Sequence, residues 1–169
     1  MPLSAARVAL AHQLLARGRQ EVRDAVWDLH AGESEPKSLS QLLATACTEA
    51  AHATNAEVTF AIEGEETPLP AMVVAQSIRL VREAVTNALK HGAAQHVSVM
   101  MECLPDALRL NIKDDGRGFD TTKAPGPETG HFGLSSMKER AQRLGGVLEI
   151  SSTPGSGTEI LVRIPVAGL

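Results

Sequence analysis

Residues 74–92 carry apolar side chains at spacings of three and four, which is the pattern of a helix with one buried side. The apolar stripe comprises Val74, Ile78, Val81, Val85 and Leu89. Polar residues repeat with the same period on the opposite face, namely Gln76, Arg79, Glu83, Asn87 and Lys90. Gly92 is expected to end this helix as its C-cap.

The polar face of this helix has an unusual composition. Glu83 and Asn87 are one turn apart and project the same way, with Lys90 and His91 at the end of the helix. A carboxylate, an amide oxygen, an ammonium and an imidazole can together meet a metal ion and a phosphate chain, and Mg²⁺ prefers to share its oxygen ligands with nucleotide phosphates. An ordinary solvated face is about equally compatible with this stretch, so both interpretations stay open here.

The segment before this domain has a different pattern. In residues 5–30 apolar side chains recur every seven positions, which is typical of one helix of a bundle. One helix cannot bury such a seam alone, so we expect a partner helix. Residues 31–38 contain Gly, Pro and Ser and are expected to form a hinge. The predicted division is therefore part of a helical bundle at 1–30, a hinge at 31–38 and a domain at 39–169.

After the hinge, helical and strand patterns alternate. Beyond 74–92, helical spacing is found in residues 39–54 and 134–144. Alternating or β-rich segments predict five strands, at 57–63, 96–102, 107–113, 147–151 and 158–164. Most of these strands are joined by hairpin turns, so we expect an α+β fold with three helices on one face of a mixed sheet.

Composition narrows the class of function. The chain has 169 residues, of which 43% are hydrophobic, enough for a substantial core. A net charge of −4 and only three Phe, one Trp and no Tyr argue against nucleic acid and membrane-surface partners. No stretch is apolar enough to span a membrane, so a cytoplasmic location is expected. Cys47 and Cys103 are expected to be buried, reduced and structural.

Two glycine-rich segments are candidates for holding a ligand. Asp114 follows a strand and is followed by Gly116 and Gly118, which allow a sharp turn and close approach of a flat ligand. A carboxylate accepts hydrogen bonds only, so it would select a donating edge such as the amino group of adenine. Residues 130–134 precede a helix, where free backbone N–H groups favour an anion such as a triphosphate.

Two further loops complete the pattern. Residues 120–129 are rich in Pro and Gly and are interpreted as a mobile lid over the phosphates, although a plain disordered loop is nearly as compatible. Gly157 and Thr158 open the last strand, and the Thr158 hydroxyl could bind the same ligand edge as Asp114. Taken alone, this turn and the one after Asp114 are also ordinary hairpin or loop sequences.

The order of these motifs resembles a known family. The sequences REAVTNALKHG, DDGRGFD, GHFGLSSMKERA and TPGSGTEI are similar to the asparagine box and the three glycine boxes of the Bergerat-fold ATP-binding family. NALKHG and the MKERA segment most resemble histidine kinases of the nitrate-sensor type, and EVRDAVWDLH resembles the second helix of their dimerisation bundle. The resemblance extends over residues 5–165 and implies a two-layer α/β sandwich with a five-stranded, mostly antiparallel sheet.

The resemblance implies roles for individual residues. Asn87 would hold Mg²⁺ on the triphosphate, and Glu83 would orient or deprotonate the attacking group, or position water on the metal. Asp114 would bind the adenine amino group. The remaining ATP-binding residues implied by the resemblance are Lys90, His91, Gly116, Gly118, Gly130, His131, Phe132, Gly133, Leu134, Gly157 and Thr158. The implied chemistry is phosphoryl transfer, in which positioning and charge neutralisation supply most of the acceleration.

The acceptor histidine of the family has no match in this chain. In the family it stands on the first bundle helix beside an acidic residue, whereas His12, His30 and His52 have no acidic neighbour that follows them. These histidines are expected to be structural or on the surface. The chain is expected to be a fragment that does not phosphorylate itself alone, and its implied partners are ATP, the bundle of the same kinase, a response regulator and a second copy in the full-length dimer.

Three functions are compatible with the motifs. The first is the ATP-binding catalytic domain of a sensor histidine kinase, which passes the γ-phosphoryl group to a histidine for relay to an aspartate. The second is a serine kinase resembling the anti-sigma factors, against which the helical pattern at 5–30 argues. The third is a non-catalytic nucleotide-binding module, against which the presence of both Glu83 and Asn87 argues; a gyrase-like ATPase is least compatible, since a transducer domain is absent.

Overall fold

The computed structural model describes residues 37–122 and 132–166 of the chain. The predicted bundle helix at 5–30 and nearly all of the predicted hinge lie outside these residues, as do His12 and His30. From Ser38 onward the described residues belong to one compact unit. None of the described helices is long and apolar enough to cross a membrane.

The first helix, α1 (Leu39–His52), begins with a capping box. Ser38 accepts a hydrogen bond from the backbone N–H of Gln41 through its hydroxyl, and the Gln41 side chain accepts one from the backbone N–H of Ser38. Two otherwise free backbone donors are therefore satisfied, which fixes the start of the helix. Leu39, Leu43 and Cys47 face the core. Cys47 is a free, buried cysteine as predicted, and burial raises the pKa of its thiol to about 11, whereas the free Cys103 is only half-buried.

The second helix, α2 (Ala71–Thr86), continues into a wider turn. Residues Asn87–His91 form a π-helical turn in which the backbone N–H of Gly92 donates to the carbonyl oxygen of Asn87, five residues earlier, at 2.8 Å. The sequence predicts one uninterrupted α-helix over 74–92, and this part of the prediction is wrong. The buried stripe is also shifted, since Val73, Leu80, Ala84 and Ala88 are buried while Val74 and Leu89 are only half-buried.

Gly92 ends this helical segment, but not in the left-handed conformation common at C-caps. Its φ is −79°, and the left-handed residue is the following Ala93 with φ 52°. A side chain at Gly92 is excluded for another reason: a Cβ there would lie 2.6 Å from the carbonyl oxygen of Ala88. The glycine is therefore required by close backbone packing in the widened turn.

The sheet has five strands, as predicted: β1 (Glu57–Glu63), β2 (His96–Cys103), β3 (Ala107–Asp114), β4 (Val147–Ser152) and β5 (Thr158–Pro165). Their spatial order is β1-β2-β3-β5-β4, and only the β1–β2 pair is parallel. The hairpins predicted between β2 and β3 and between β4 and β5 are both present. The mixed, mostly antiparallel sheet of an α+β fold is thus confirmed.

The helices cover one face of the sheet. Alternate residues of the central strands point into the core, with Val99 and Met101 on β2, Leu110 on β3 and Val162 on β5 all nearly inaccessible to solvent. The last helix, α3 (Phe132–Arg143), contributes Met137 and Ala141 to the same core. The other sheet face carries polar residues such as Ser98, Lys113 and Arg163 beside the half-buried Met100 and Leu161, so the helices and the sheet form two layers. The edge strand β1 is less buried than its alternating pattern predicts: Ile62, near the end of this strand, is 41% exposed.

Candidate functional site

The structure brings the polar face of α2 against the first turn of α3. A Cβ at Gly133 would lie 2.5 Å from Oε1 of Glu83 and 3.2 Å from Nδ2 of Asn87. Further along the two helices, Nη1 of Arg140 donates to Oε1 of Gln76 at 3.4 Å. The carboxylate and the amide that the sequence places one turn apart therefore both lie beside the N-terminus of α3.

The N-terminus of α3 differs from the prediction in its position. The helix begins at Phe132, so Gly133 and Leu134 lie inside its first turn rather than in the loop before it. The first N–H groups of a helix lack intrahelical acceptors, so the turn still presents donors and a positive dipole end. Gly130 and His131 lie outside the described residues, as does most of the predicted lid, and nothing is described of the Phe132 side chain.

The residues at the end of the π-helical turn are more exposed. Glu83 and Asn87 are half-buried, whereas Lys90 and His91 are exposed. The backbone carbonyl of His91 accepts a hydrogen bond from the guanidinium of Arg117. Lys90 and His91 are thus free to meet a ligand at the surface, but their contact with phosphates stays a prediction.

Asp114 lies at the end of β3, half-buried, opposite Thr158 of β5. Its Oδ1 accepts a hydrogen bond from the backbone N–H of Gly116 at 2.8 Å. Burial raises the pKa of the Asp114 carboxyl, partly offset by hydrogen bonds from the backbone N–H groups of Gly116 and Thr158, while the neighbouring Asp115 raises it further. A carboxyl group that loses solvent in this way is suited to reading a ligand that brings its own hydrogen-bond donor.

The glycines of these loops are required for backbone packing. Gly118 has φ +56°, and a Cβ there would collide with the carbonyl oxygen of Thr153. Gly157 has φ +74°, and a Cβ there would collide with the carbonyl oxygen of Asp114. The sequence interpretation attributes Gly116 and Gly118 to a sharp turn and close approach of a flat ligand, and Gly157 to the opening of the last strand. The structure gives them a different reason, namely that the loops after β3 and before β5 pack on each other.

Ser152 is a functional candidate that the sequence analysis missed. Its hydroxyl lies 3.0 Å from Oγ1 of Thr158, donates to the carbonyl oxygen of Gly157 at 2.9 Å and accepts from the backbone N–H of Phe119 at 2.9 Å. Ser152 therefore fixes both glycine loops and holds the Thr158 hydroxyl. The signal was present, because pairing β4 with β5 across the TPGSG turn places Ser152 opposite Thr158.

The donor set fits a magnesium ion that takes most of its ligands from a nucleotide. Among residues 37–122 and 132–166 no three His, Cys, Asp or Glu side chains converge to hold a metal. The last turn of α2 offers the carboxylate of Glu83 and the π-helical turn offers the side-chain amide of Asn87, whose oxygens are hard donors. Mg²⁺ bound through one or two protein oxygens, with phosphate oxygens and water completing its octahedron, matches this arrangement.

These features define a nucleotide-binding domain of the two-layer α/β class. The chain belongs to the family described as histidine kinase-, DNA gyrase B-, and HSP90-like ATPase, whose model matches residues 73–168. The ATP-binding fold that the four motifs resemble is thereby confirmed. Within the family, the curated relatives include a protein named as a sensor histidine kinase and one named as a nitrate/nitrite sensor, which agrees with the nitrate-sensor-like subgroup that the sequence resembles.

Three curated relatives illustrate the similarity. The sensor histidine kinase LiaS of Bacillus subtilis is 31% identical over 162 residues, covering 95% of this chain and 43% of that protein. The nitrate/nitrite sensor protein NarQ of Escherichia coli is 34% identical over 128 residues, covering 75% and 21%. DegS of Bacillus subtilis, a signal transduction histidine-protein kinase/phosphatase, is 43% identical over 89 residues, covering 53% and 23%. The chain spans less than half the length of these relatives.

Solved structures support the fold. The histidine kinase domain of the blue-light activated kinase from Erythrobacter litoralis EL346 superposes with a TM-score of 0.66 at 24% identity, covering 81% of this chain and 67% of that one. The ATP-binding domain of PrrB from Mycobacterium tuberculosis gives a TM-score of 0.63 at 24% identity, covering 76% and 94%. At this identity the likeness shows a shared fold.

Proposed function

We propose that this chain is the ATP-binding catalytic domain of a sensor histidine kinase, which transfers the γ-phosphoryl group of magnesium-bound ATP to a histidine on a helical bundle. The observation that carries the proposal is the convergence of Glu83 and Asn87 on Gly133 in the first turn of α3. A metal-holding amide, a carboxylate and free backbone N–H groups are there brought to one place, where a triphosphate can be positioned and its charge neutralised.

The proposed roles follow from the positions of the groups. Asn87 binds the magnesium ion, and Glu83 orients or deprotonates the attacking imidazole, directly or through water on the metal. The first turn of α3, with Gly133 and Leu134, binds phosphate oxygens, and Asp114 binds the adenine amino group with Thr158 beside it. Lys90 and His91 lie against the phosphates, Gly130, His131 and Phe132 contribute to ATP binding, and residues 120–129 form the lid.

The sensor names of the relatives support a place in a two-component system. The phosphorylated histidine then passes its phosphoryl group to an aspartate of a response regulator. The full-length kinase is a homodimer whose catalytic domain is cytoplasmic, with residues 1–30 as part of the bundle and residues 31–38 as the hinge.

Magnesium-dependent binding tests the nucleotide site. We expect a non-hydrolysable ATP analogue to bind the wild-type chain with heat that calorimetry detects, and to bind more weakly when Mg²⁺ is removed. Asn87→Ala should lose the benefit of Mg²⁺ while still binding the adenosine part, and the exposed Asn55→Ala serves as the matched control. If the wild type binds the ATP analogue equally well with and without Mg²⁺, the result would favour the non-catalytic nucleotide-binding module.

Labelled phosphoryl transfer tests the reaction. With the bundle of the same kinase supplied separately and γ-labelled ATP, we expect label that is acid-labile and base-stable, as phosphohistidine is. Glu83→Gln should lower the transfer rate by about 10²- to 10⁴-fold with little change in affinity for Mg-ATP, because the loss of a general base acts on the transition state. Acid-stable, base-labile label would instead identify a serine kinase.

A further inference from the structure

The loop that carries Asp114 is tied to the segment that follows the magnesium-binding turn. We propose that Asp115 is the positioning residue that makes this tie, and that protonation of His96 tightens it, so that nucleotide affinity follows the charge on His96. The inference rests on the proposed function, because it assigns a role to residues beside that nucleotide site.

Asp115 joins the two segments through its side chain and its backbone. Its Oδ1 accepts hydrogen bonds from the backbone N–H groups of Gln95 at 2.8 Å and His96 at 2.9 Å, and its own N–H donates to the carbonyl oxygen of His96 at 3.2 Å. Asp115 directly follows Asp114. Any movement of residues 95–96 is therefore transmitted to the residue next to the adenine-binding carboxylate.

The following two residues strengthen the same tie. The backbone N–H of Arg117 donates to the carbonyl oxygen of Gly92 at 2.8 Å, and its guanidinium donates to the carbonyl oxygen of His91. A Cβ at Gly116 would lie 2.7 Å from the carbonyl oxygen of Gly92, so the two chain segments are in direct contact. The 115–117 loop thus rests on residues 91–96, which begin where the π-helical turn with Asn87 ends.

His96 is the part of this tie that can change charge near neutral pH. Its Nδ1 lies 2.6 Å from Oδ2 of Asp115, and its Nε2 lies 3.8 Å from Oε2 of Glu57 on β1. These side chains line an open groove of about 250 Å³ together with Lys113 and Asp114. The imidazole of His96 therefore faces the carboxylates of Asp115 and Glu57. The Asp114 carboxylate and the Lys113 ammonium line the same groove.

The direction of the pH effect follows from these contacts. The hydrogen bond to Asp115, followed by the charge of Asp115, raises the pKa of His96 above its ordinary 6.5. The pKa of Asp115 is lowered to about 2, first by the backbone N–H of His96 and then by its side chain. The stability that this pair contributes is fully present between pH 3.8 and pH 6.5, the ordinary pKa values of the two groups, and is lost as the pH rises through the raised pKa of His96.

Protonation acts on the site in two ways. The imidazolium strengthens the hydrogen bond that holds Asp115. It also offsets the negative charge of Asp115, which otherwise raises the pKa of the adjacent Asp114. The His96 and Asp115 side chains are 68% and 46% exposed, so the pair is screened by water and its effect on affinity is about two- to threefold.

Calorimetry at pH 6.0 and 8.5, with fixed Mg²⁺ and ionic strength, tests the coupling with a non-hydrolysable ATP analogue. Variants are compared with the wild type at the same pH, which cancels the titration of the nucleotide itself. We expect His96→Gln to bind about two- to threefold more weakly than wild type at pH 6.0 and equally at pH 8.5. His52→Gln, which alters an exposed histidine in the last turn of α1, should match wild type at both values.

Two substitutions of Asp115 separate positioning from charge. Asp115→Ala should weaken binding about tenfold at pH 8.5, since two backbone N–H groups lose their acceptor, and by a further two- to threefold at pH 6.0, where the charged pair is lost as well. Asp115→Asn keeps an acceptor oxygen and should recover most of the affinity, but without the pH dependence. If Asp115→Ala binds as tightly as wild type, or if His96→Gln follows wild type at both pH values, the proposal is overturned.

Nuclear magnetic resonance of the nucleotide-free wild type tests the tie independently of binding. The backbone amide signals of Gly116 and Arg117 should shift with the same midpoint as the His96 imidazole. If no nucleotide binds at either pH, the proposed function fails and these amide titrations alone decide whether the tie exists. Amide signals that do not move while His96 titrates overturn it.

Discussion

At the scale of single residues, the candidate site depends on the lack of a side chain at Gly133 as well as on the polar side chains around it. Gly133 leaves room for the Glu83 carboxylate beside the first turn of α3, and the neighbouring Asn87 amide approaches the same point. Asp114 keeps a carboxyl group half out of water at the end of β3, where its pKa is raised by burial. Both arrangements cost stability or restrict substitution, and the proposed nucleotide, which would use the space and the charge, would explain both.

Gly133→Ala is expected to lower the phosphoryl transfer rate without lowering the stability of the fold. The added Cβ would lie 2.5 Å from Oε1 of Glu83, and the long Glu83 side chain can rotate away. Alanine also favours a helix over glycine by up to about 1 kcal/mol, so the free energy of unfolding should not fall. Displacing the carboxylate by about 1 Å should lower the phosphoryl transfer rate by roughly 10²-fold, measured with labelled ATP.

A double-mutant comparison identifies the cause of that loss. If Gly133→Ala acts by moving Glu83, it should add no further loss of transfer rate in a Glu83→Ala background. Losses that multiply in the double mutant would show that Gly133 acts on the phosphates or the lid instead.

Asp114→Asn is expected to lower the affinity for nucleotide and to raise stability relative to wild type as the pH rises. The amide cannot accept on both sides, so affinity for an ATP analogue at pH 7 should fall by about 1–3 kcal/mol, measured by calorimetry. Because burial raises the folded-state pKa of Asp114 above 3.8, the wild type loses stability as the pH rises from 3.8 through the raised pKa. The stability of Asp114→Asn relative to wild type should therefore increase over that window and stay constant above it.

Asp106→Asn is the control for this experiment. Asp106 is an exposed carboxylate in the turn after β2 and forms an ion pair with Arg163 of β5. The substitution should leave affinity for the ATP analogue unchanged. Equal affinity of Asp114→Asn and wild type would remove Asp114 from the adenine site, and a stability difference independent of pH would contradict the burial of its charge.

At the scale of elements, α2 combines a core helix with a widened turn. Ala84 and Val85 pack into the core while Glu83 faces α3, so one helix supplies both packing and candidate chemistry. The π-helical turn then carries Asn87 into the site, and such turns are frequent at functional positions. Its end is fixed from outside the helix by the hydrogen bond from Arg117 to Gly92.

Ser77 is a weak point of this helix, and its replacement should stabilise the fold. The side chain is fully buried on α2, and its hydroxyl has no hydrogen-bond partner within the described part of the chain. Ser77→Ala removes an unsatisfied buried group and improves helix propensity, so the free energy of unfolding should rise by about 1 kcal/mol in urea denaturation.

The partly exposed Ser136 on α3 provides a control for helix propensity. Ser136→Ala should gain no more than about 0.5 kcal/mol, the difference in propensity alone. A decrease in stability for Ser77→Ala would mean that the buried hydroxyl makes a bond that alanine cannot replace.

At the scale of the whole molecule, one core supports both halves of the site. Val162 in β5 lies between Leu110 of β3 and Leu148 of β4, and all three side chains are buried beneath the helices. The same sheet ends in Asp114 and Thr158, while the helices over it carry Glu83 and Gly133. Packing in the core therefore sets the distance between the two parts of the candidate site, the sheet edge with Asp114 and the first turn of α3.

Val162→Ala should destabilise the whole domain. Removing two methyl groups from a fully packed site should cost roughly 2–3 kcal/mol in the free energy of unfolding, measured by denaturant titration. Val147→Ala on the neighbouring strand is the matched control, because Val147 is 60% exposed and its truncation should change stability by less than about 0.5 kcal/mol. Equal costs for the two substitutions would contradict the assignment of core and surface.

The sequence by itself determined the element types, the hairpins and the family. Periodicity of 3.6 and of 2 reports which side of an element is apolar, so α1, α2, α3 and the five strands follow from local pattern. Glu83, Asn87, Asp114 and Gly133 were selected because their chemistry and order match an ATP-binding family, to which the chain belongs. Helical spacing that resumes at Leu39 also predicts the start of α1, to which the structure adds the capping box of Ser38 and Gln41.

Only the tertiary structure decided how these residues meet. The π-helical turn ends at Gly92, whose φ is negative and whose carbonyl group contacts residues 116 and 117. These residues are distant in sequence, so the contact leaves no periodic signal. The roles of Ser152 and Asp115 likewise arise from strand register and from loops that pack backbone to backbone. Local pattern records burial, whereas the position of one loop against another depends on contacts made only after the sheet and helices have packed.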